Sequence, residues 1–493
     1  MNPASGWFTP TRTFMAGMAL YFLLHSLIRV SFSDSLELDE AEQWVFAQWL
    51  DWGYSSQPPL YTWLLKALFS ILGESIFTTT LLKNLCLYAL YIATFDLARR
   101  VLGDEQRAIL AALSLLLMPP IAWEASRDLT HTVLVACWVP VSLLVVIGLL
   151  ERPSTRGYLA WGLVTGLGLL SKYNFSLHLA ALAVSLLTLP EGRRVLYDRR
   201  LLLTLWLAAL VYAPQGLWLL EHHAELARGL GKLGIARTPV SLLPGRLIVA
   251  IAAYVAPLLV IVALIGSLRL SLSRPDVPTT AATRLLGRYV AVIGLILLVG
   301  TGFIAGGHLR TRWLFPFMVL FPVWLFSRIP PDCLTPLRAR CHAGCSGVAA
   351  SIILLLMLLR IPGAAWTQKP TDLNLPFNAV ADSLRQAGFH HGVIVAANAH
   401  MAGNLRYQFR EQALVITPHL GFHLPPRPAG QPLLLFWEAE KQTQMPPALA
   451  EFARDRLGVA VNALEPHYVL HPYRYSDGLQ SKMAYVIVTA GAS

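Results

Sequence analysis

Recurrent apolar runs, a deficit of charge and a change of pattern near residue 364 predict an α-helical polytopic membrane domain followed by a small C-terminal α/β domain. Of 493 residues, 55% are hydrophobic and 14% are charged, against roughly a quarter charged in an ordinary soluble domain. A bilayer core takes roughly 20 apolar residues per helix. Such runs recur from the N-terminus to about residue 363 and are missing from 364–493. The chain therefore divides into a transmembrane domain, 1–363, and an outer domain, 364–493.

About eleven spans are expected by length and apolarity, over 13–32, 77–98, 107–124, 129–150, 158–171, 174–189, 201–220, 247–268, 289–306, 313–328 and 348–363. The first run, Thr13 to Val30, is too long for a signal peptide and no small-residue cleavage site follows it, so it is read as a retained anchor. Alternate loops are basic. They carry Arg99, Arg100 and Arg107; Arg152 and Arg156; Arg193, Arg194, Arg199 and Arg200; Arg269, Arg274, Arg284 and Arg288; and Arg328, Arg338 and Arg340. By the positive-inside rule these loops are cytoplasmic, which puts the N-terminus inside and the segment after residue 363 outside. Fusing the two short runs around Ser171 to Asn174 into one span would place the Arg193 to Arg200 cluster outside, so they are kept as two. The net charge of +11 thereby reports topology and does not point to nucleic acid.

Three outer loops follow. The first, 33–76, carries Trp44, Trp49, Trp52, Tyr54, Tyr61 and Trp63 at helical spacing on either side of Gly53, which predicts two helices lying in the headgroup layer. The second, 221–246, mixes His222, His223, Arg228, Lys232 and Arg237 with glycines. The third is Gly306 to Arg312. Beyond residue 364, strand-like runs at Val393–Ala397, Leu414–Thr417, Leu433–Trp437 and Ala484–Thr489 alternate with helix-like stretches at 379–387, 401–409 and 449–457. That alternation predicts a small α/β fold with enough length for its own core. It holds no phosphate-binding glycine loop, nucleophile elbow or metal spacing.

Five cysteines are too few and scattered for a disulfide framework. Cys86 and Cys137 sit in apolar runs, and Cys333, Cys341 and Cys345 flank a basic cytoplasmic segment, where thiols stay reduced. His342 beside Cys341 and Cys345 fits no standard zinc spacing. Glu221, His222, His223 and Glu225 are weak candidates for a divalent metal ion; a polar interfacial loop supplies such residues by chance.

Chemistry concentrates at one membrane face. Asp34, Glu37, Asp39, Glu40 and Glu42 crowd directly after the first span, where carboxylates are costly unless paired, hydrated or used. A hydrated helix N-terminus, with Asp39 as cap and a helix running to Leu50, explains them as well as function does. Arg127 beside Asp128, Lys172 within Ser171-Lys172-Tyr173, and Arg310 and Arg312 after His308 place cations at the same face. Each alone is readily a snorkelling side chain or a structural ion pair; together with the acids they suit an anionic lipid headgroup and a reaction at it.

Asp39-Glu40-Ala41-Glu42-Gln43-Trp44, Leu50-Asp51-Trp52-Gly53-Tyr54 and Gln57-Pro58-Pro59-Leu60-Tyr61-Thr62-Trp63-Leu64 together resemble the first outer loop of bacterial membrane glycosyltransferases of the GT-C fold. That branch is similar to protein O-mannosyltransferases and the lipid A aminoarabinose transferase. Arg127-Asp128, Gly166 to Tyr173 and His308 to Pro316 resemble further landmarks of the family, so the likeness spans essentially the whole chain. It implies a bacterial inner-membrane enzyme with a periplasmic C-terminal domain. The implied activity is transfer of a sugar, usually with inversion, from a polyprenyl-phosphate donor to an envelope acceptor: lipid A, the lipopolysaccharide core, another glycolipid or a protein. Asp39 matches the family's catalytic acidic position and Glu40 is the second candidate. Arg127, Lys172, Arg310 and Arg312 are candidates for the donor phosphate; Asp128, Tyr54, Gln57, Tyr61, Tyr173 and His308 are candidates for substrate contacts. Glu42 and Gln57 stand where the aminoarabinose transferase has basic residues, which argues against that particular activity.

Three other readings stay open. A transporter or flippase for the same lipid tends to bury charge near the midplane, whereas these charges keep to one face. An O-antigen ligase or polymerase places its key arginines and histidine in a large late outer loop, which is modest here. An inactive sensor with a receptor-like outer domain would not need Asp39.

Overall fold

The computed structural model describes residues 9–55, 57–225, 243–266, 280–304, 311–423, 431–440, 443–461 and 464–488. It is mostly helical. In chain order the helices are α1 (Pro10–Phe32), α2 (Leu38–Phe46), α3 (Leu60–Leu72), α4 (Ile76–Leu102), α5 (Glu105–Leu113), α6 (Ala125–Arg127), α7 (Thr130–Glu151), α8 (Thr155–Ser171), α9 (Phe175–Leu187), α10 (Pro190–Leu196) and α11 (Leu201–Glu221). They continue with α12 (Leu243–Leu264), α13 (Ala281–Ile304), α14 (Phe315–Met318), α15 (Phe321–Arg328), α16 (Pro336–Arg360), α17 (Ala364–Thr367), α18 (Phe377–Gln386), α19 (Ala399–Phe409) and α20 (Pro447–Leu457).

Among the described residues seven helices are long and apolar enough to cross a membrane, on α1, α4, α7, α11, α12, α13 and α16, and an eighth is broken, Glu105–Leu117 meeting Pro120–Arg127 at 76°. Over the described residues each predicted run overlaps one of these helices or the shorter α8, α9 and α14–α15. The runs on either side of Lys172 are indeed separate, α8 ending at Ser171 and α9 starting at Phe175.

Contact divides the chain into two compact units: Met1–Leu24, Ser55–Tyr61 and Lys83–Leu354; and His25–Tyr54, Thr62–Leu82 and Leu355–Ser493. The sequence boundary at 363/364 leaves the first outer loop with the helical domain, whereas the packing groups most of that loop with the C-terminal segment. The reason is apolar surface that the C-terminal elements leave uncovered, which this loop buries.

In the helical unit, small residues let helices approach. A Cβ on Gly162 would lie 2.7 Å from the Thr204 carbonyl oxygen, and one on Gly166 would lie 2.6 Å from Val211 Cβ, so α8 and α11 pack nearly backbone to backbone. Such small-xxx-small spacing is a general device where lipid supplies no hydrophobic drive between helices. Gly168 is filled against by the Phe175 ring, closing the turn from α8 into α9. Tyr158 on α8 donates to the Val195 carbonyl at 3.0 Å, and Thr204 returns a bond to the Tyr158 carbonyl at 2.8 Å.

In the other unit, strands β1 (Gly392–Ala396), β2 (Ala413–Ile416), β3 (Leu433–Glu438), β4 (His467–Pro472) and β5 (Gln480–Val488) form one sheet ordered β2-β1-β3-β5-β4. β1 runs parallel to β2 and β3, and β5 runs antiparallel to β3 and β4. Three strands and three helices lie within a residue or two of the predicted runs, and β5 begins four residues before its run. β4 lies outside them because it is an exposed edge strand ending in Pro472, with little apolar signal. One sheet face packs on α18 and α19 together with Val45, Phe46 and Tyr54 from the first outer loop. The other face packs on α20 with Trp49 added.

The aromatic residues of α2 therefore face protein and not headgroups. Trp44 is 1% exposed, its Nε1 donates to Thr79 Oγ1 at 2.9 Å, and its ring meets Tyr407 edge-on at 5.0 Å. Trp52, by contrast, is exposed.

Replacing Gly162 by Leu forces α8 away from the Thr204 backbone and is expected to cost about 1–3 kcal/mol. A lower midpoint of thermal unfolding in detergent measures this; an unchanged midpoint would show that α8 and α11 do not need their close approach.

Candidate functional site

The acidic loop is built around buried ion pairs. Arg29, in the last turn of α1, meets Glu40 at 2.8 Å, the two side chains being 7% and 2% exposed. The same guanidinium donates to the carbonyls of Ser35 at 2.6 Å and Ser33 at 3.3 Å. Glu40 Oε2 also accepts from the Glu37 backbone at 3.1 Å, so Glu37, and not Asp39, caps α2, which ends at Phe46 and not at Leu50. Glu37 itself pairs with Arg360, and Asp34 pairs with Arg474 at 2.7 Å. Three carboxylates of the cluster thus hold the fold. Glu40, the second catalytic candidate, is enclosed and committed to Arg29, which gives it a holding role. Asp39 and Glu42 are half-buried on the same helix.

The position of Asp39 is fixed from both sides. Leu36, just before α2, donates its N–H to Asn404 Oδ1 at 2.7 Å and accepts at its carbonyl from His400 Nε2 at 2.9 Å. A Cβ on Gly403 would strike the Ala41 carbonyl, so α2 and α19 touch backbone to backbone there. Beyond α2, the Gln48 amide bonds both the N–H and the carbonyl of Val415 at 2.9 and 2.6 Å, covering the edge of β2. Lys66 donates to the last carbonyls of α2, at Ala47, at 2.9 Å, a favourable place for a cation. Tyr54, expected at the substrate, is instead a core residue. Its hydroxyl accepts from Asp51 N and donates to Trp49 O, both at 3.0 Å; its ring stacks on Phe46; and burial pushes its pKa up to about 12.

In the helical unit, polar groups gather at the N-terminal end of α7. The broken span enters through Pro119 and Pro120 and one π-helical turn, Pro120–Glu124, ends α6 at Arg127, and turns through extended Asp128 and left-handed Leu129 (φ 77°, ψ 47°) into α7. A leucine in that conformation costs roughly 1–2 kcal/mol, and such strain concentrates at functional sites. No side chain caps α7, so its first N–H groups and positive dipole end favour an anion. Lys172, which ends α8, donates from Nζ to Thr132 Oγ1 in the first turn of α7 at 2.6 Å. Ser171, next to it, accepts from Trp138 Nε1 at 3.0 Å. Glu124 lies within the fields of Arg127 and Arg312, and the Thr311 carbonyl beside Arg312 accepts from Tyr254 at 3.0 Å. Arg127, Asp128 and Lys172 are therefore brought to one helix end, with Arg312 close enough to Glu124 for their charges to interact.

The remaining predicted residues are placed as follows. Tyr61 is buried with its ring 5.7 Å from His131. Tyr173 accepts from Gln215 Nε2 at 3.1 Å. Gln57 is half-buried, and its N–H donates to Ser55 Oγ at 3.3 Å. Arg310 and His308 lie outside the described residues. His222 stacks on Trp218 at 4.3 Å and bonds its carbonyl, His223 is exposed, and among the described residues no three His, Cys, Asp or Glu side chains converge as metal ligands. His342 is buried against Ser114 Oγ at 2.9 Å, apart from any such set.

Two residues were not singled out by sequence. Lys83, on α4, is 3% exposed and donates to the Arg127 carbonyl at 3.2 Å; a lysine inside an apolar run was its available signal. Asn174, between α8 and α9, has both amide atoms buried without a hydrogen-bond partner among the described residues, as has Oδ1 of Asp128. Buried polar groups in that condition are ones a polar ligand would complete.

The chain is similar to known proteins along its length. Residues 56–218 match the family model described as dolichyl-phosphate-mannose-protein mannosyltransferase. The lipopolysaccharide core galacturonosyltransferase RgtB of Rhizobium johnstonii is 32% identical over 480 residues, covering 94% of both chains. RgtA of the same organism, with the same described activity, is 32% identical over 86% of both chains. The crystal structure of ArnT from Cupriavidus metallidurans bound to undecaprenyl phosphate superposes with a TM-score of 0.65 at 13% identity, over 99% of each chain. That likeness shows a shared fold.

Arg29→Met removes the guanidinium that meets buried Glu40 and is expected to cost about 3 kcal/mol or more, with Arg29→Met/Glu40→Leu recovering most of it. Thermal unfolding in detergent compares the three proteins; equal loss in the single and double variants would remove the pair from this role.

Proposed function

The chain belongs to the glycosyltransferase family of the lipopolysaccharide core galacturonosyltransferases RgtA and RgtB, and on that premise we propose that it transfers galacturonic acid from polyprenyl phosphate to the lipopolysaccharide core. The observation that carries the acceptor and the sugar is the 32% identity to RgtB over 94% of both chains. The polyprenyl-phosphate donor draws support from undecaprenyl phosphate in the ArnT neighbour of the same fold and from the cations around α7.

In this reading the chain lies in the inner membrane with about eleven spans. Its N-terminus is cytoplasmic, its C-terminal domain is periplasmic, and the reaction takes place at the outer face. An inverting transfer needs a base for the acceptor hydroxyl and charge neutralisation for the departing phosphate. Asp39, held on α2 by the Arg29–Glu40 pair, takes or orients the hydroxyl proton. The uncapped end of α7 with Arg127, Lys172 and Arg312 receives the phosphate, guanidinium groups matching its oxygens in pairs. Asp128 and Asn174 offer hydrogen bonds to the sugar. The lysine that precedes the two prolines in the aminoarabinose transferase is Gln57 here, which moves phosphate binding onto these helix-end cations.

A transporter reading is tested in the same assay. Purified protein in detergent, given a polyprenyl-phosphate galacturonate and truncated lipopolysaccharide, is expected to release polyprenyl phosphate and add one uronic acid to the core, and Asp39→Asn is expected to lower kcat at least a hundredfold. Full activity of Asp39→Asn, or a deletion strain whose core oligosaccharide keeps every uronic acid by mass spectrometry, would overturn the proposal.

A further inference from the structure

Lys83 is a buried cation on a membrane-crossing helix for which the proposed reaction names no task. Charged residues in such places persist where they pair or are used, and the described contact of this one is informative. Its ammonium reaches 3.2 Å to the carbonyl of Arg127. That carbonyl ends α6, where a helix has acceptors with no partner of its own, and a cation is favoured at that end of the dipole. The next residue, Asp128, is extended, and the one after, Leu129, sits at φ 77°. Asp128 also presents a buried Oδ1 without a hydrogen-bond partner among the described residues. A charged donor, a strained corner and an unfilled carboxylate oxygen therefore occupy three consecutive residues and the lysine that holds them.

We propose that Lys83 is a positioning residue: by holding the Arg127 carbonyl it keeps the Arg127–Asp128–Leu129 corner in the strained form that presents Arg127 to the lipid phosphate and Asp128 to the sugar. This rests on the donor-phosphate role given to α7 above. The corner needs an external hold because leucine gains nothing from the left-handed conformation, whereas glycine adopts it freely. Relaxing Leu129 to a negative φ would swing the two preceding side chains away and re-aim the first turn of α7. Lys83 acts at a distance from the transferred sugar and supplies geometry.

The test is a double-variant cycle with two readouts, the Kd for polyprenyl phosphate alone and the kcat/KM for transfer. Lys83→Met is expected to weaken polyprenyl-phosphate binding about tenfold and to lower kcat/KM further, with Lys83→Arg retaining most of both. Leu129→Gly alone is expected to change either by less than threefold, and Lys83→Met/Leu129→Gly to regain most of the loss, because glycine adopts the left-handed corner without the hold. Gel filtration and thermal unfolding certify that the variants are folded; if Lys83→Met does not accumulate, Lys83→Gln takes its place in the cycle. Wild-type binding by Lys83→Met, or no rescue by Leu129→Gly, overturns the proposal, the second outcome marking Lys83 as a direct ligand or a purely structural charge. Wild-type protein that binds polyprenyl phosphate with this pattern and transfers no galacturonate would fail the proposed substrate while leaving the role of Lys83 standing.

Discussion

A carboxylate that leaves water keeps its charge only against a cation, and the pairing of Arg29 with Glu40 is where this chain meets that constraint most severely. Both partners are almost fully enclosed. The guanidinium also gathers two carbonyls of the turn that follows α1, so a single side chain fixes how the chain leaves the first apolar helix and how α2 begins. Buried ion pairs of this kind contribute little net stability but are costly to break from one side. Their value here is directional: Glu40 is pinned, and its neighbour Asp39 takes whatever orientation α2 then dictates. The pair of Glu37 with Arg360 repeats the device, and that of Asp34 with Arg474 holds the same turn from a part-exposed position.

At the start of α7 the same electrostatics runs with the signs exchanged. Cations on α6, at the end of α8 and beside Thr311 lie near a helix end that is itself positive, with Glu124 and Asp128 among them; in the proposed reading this is where the donor phosphate is received. Helices that must carry such charge are packed closely elsewhere, as α8 and α11 are through Gly162 and Gly166. In the proposed reading, rigid packing would let the cations keep their spacing before the phosphate is bound, the condition for stabilising a charge that appears during a reaction.

Much of this was legible in the sequence because hydrophobic runs and loop charges obey physics that is local. Length and apolarity located the helices, and the acidic cluster and Arg127, Lys172 and Arg312 were visible as charges in expensive places. What stayed hidden depends on partners distant in the chain. Glu40 and Asp39 look interchangeable until Arg29 is found against one of them. Tyr54 and Trp44 read as headgroup aromatics, since an amphipathic stretch buried against lipid headgroups and one buried against a sheet have the same pattern. β4 carried no signal because an edge strand need not be apolar. Lys83 was lost inside an apolar run, and the left-handed Leu129 is invisible to any propensity, which would have placed glycine there.

The joining of the first outer loop to the sheet has a consequence for biogenesis. Ser33 bonds the carbonyl of Leu373, 340 residues later, and Leu36 bonds Asn404, 368 residues later. At ordinary rates of synthesis roughly 20–70 s separate the emergence of the two partners. During that interval Val45, Phe46, Trp49 and the amide of Gln48 have no sheet to cover, and the early loop must wait with apolar surface uncovered. Such long-range pairing is slow and exposed to misassociation, so the unit that holds the sheet closes only after Leu373 and Asn404 have emerged to meet the residues after α1.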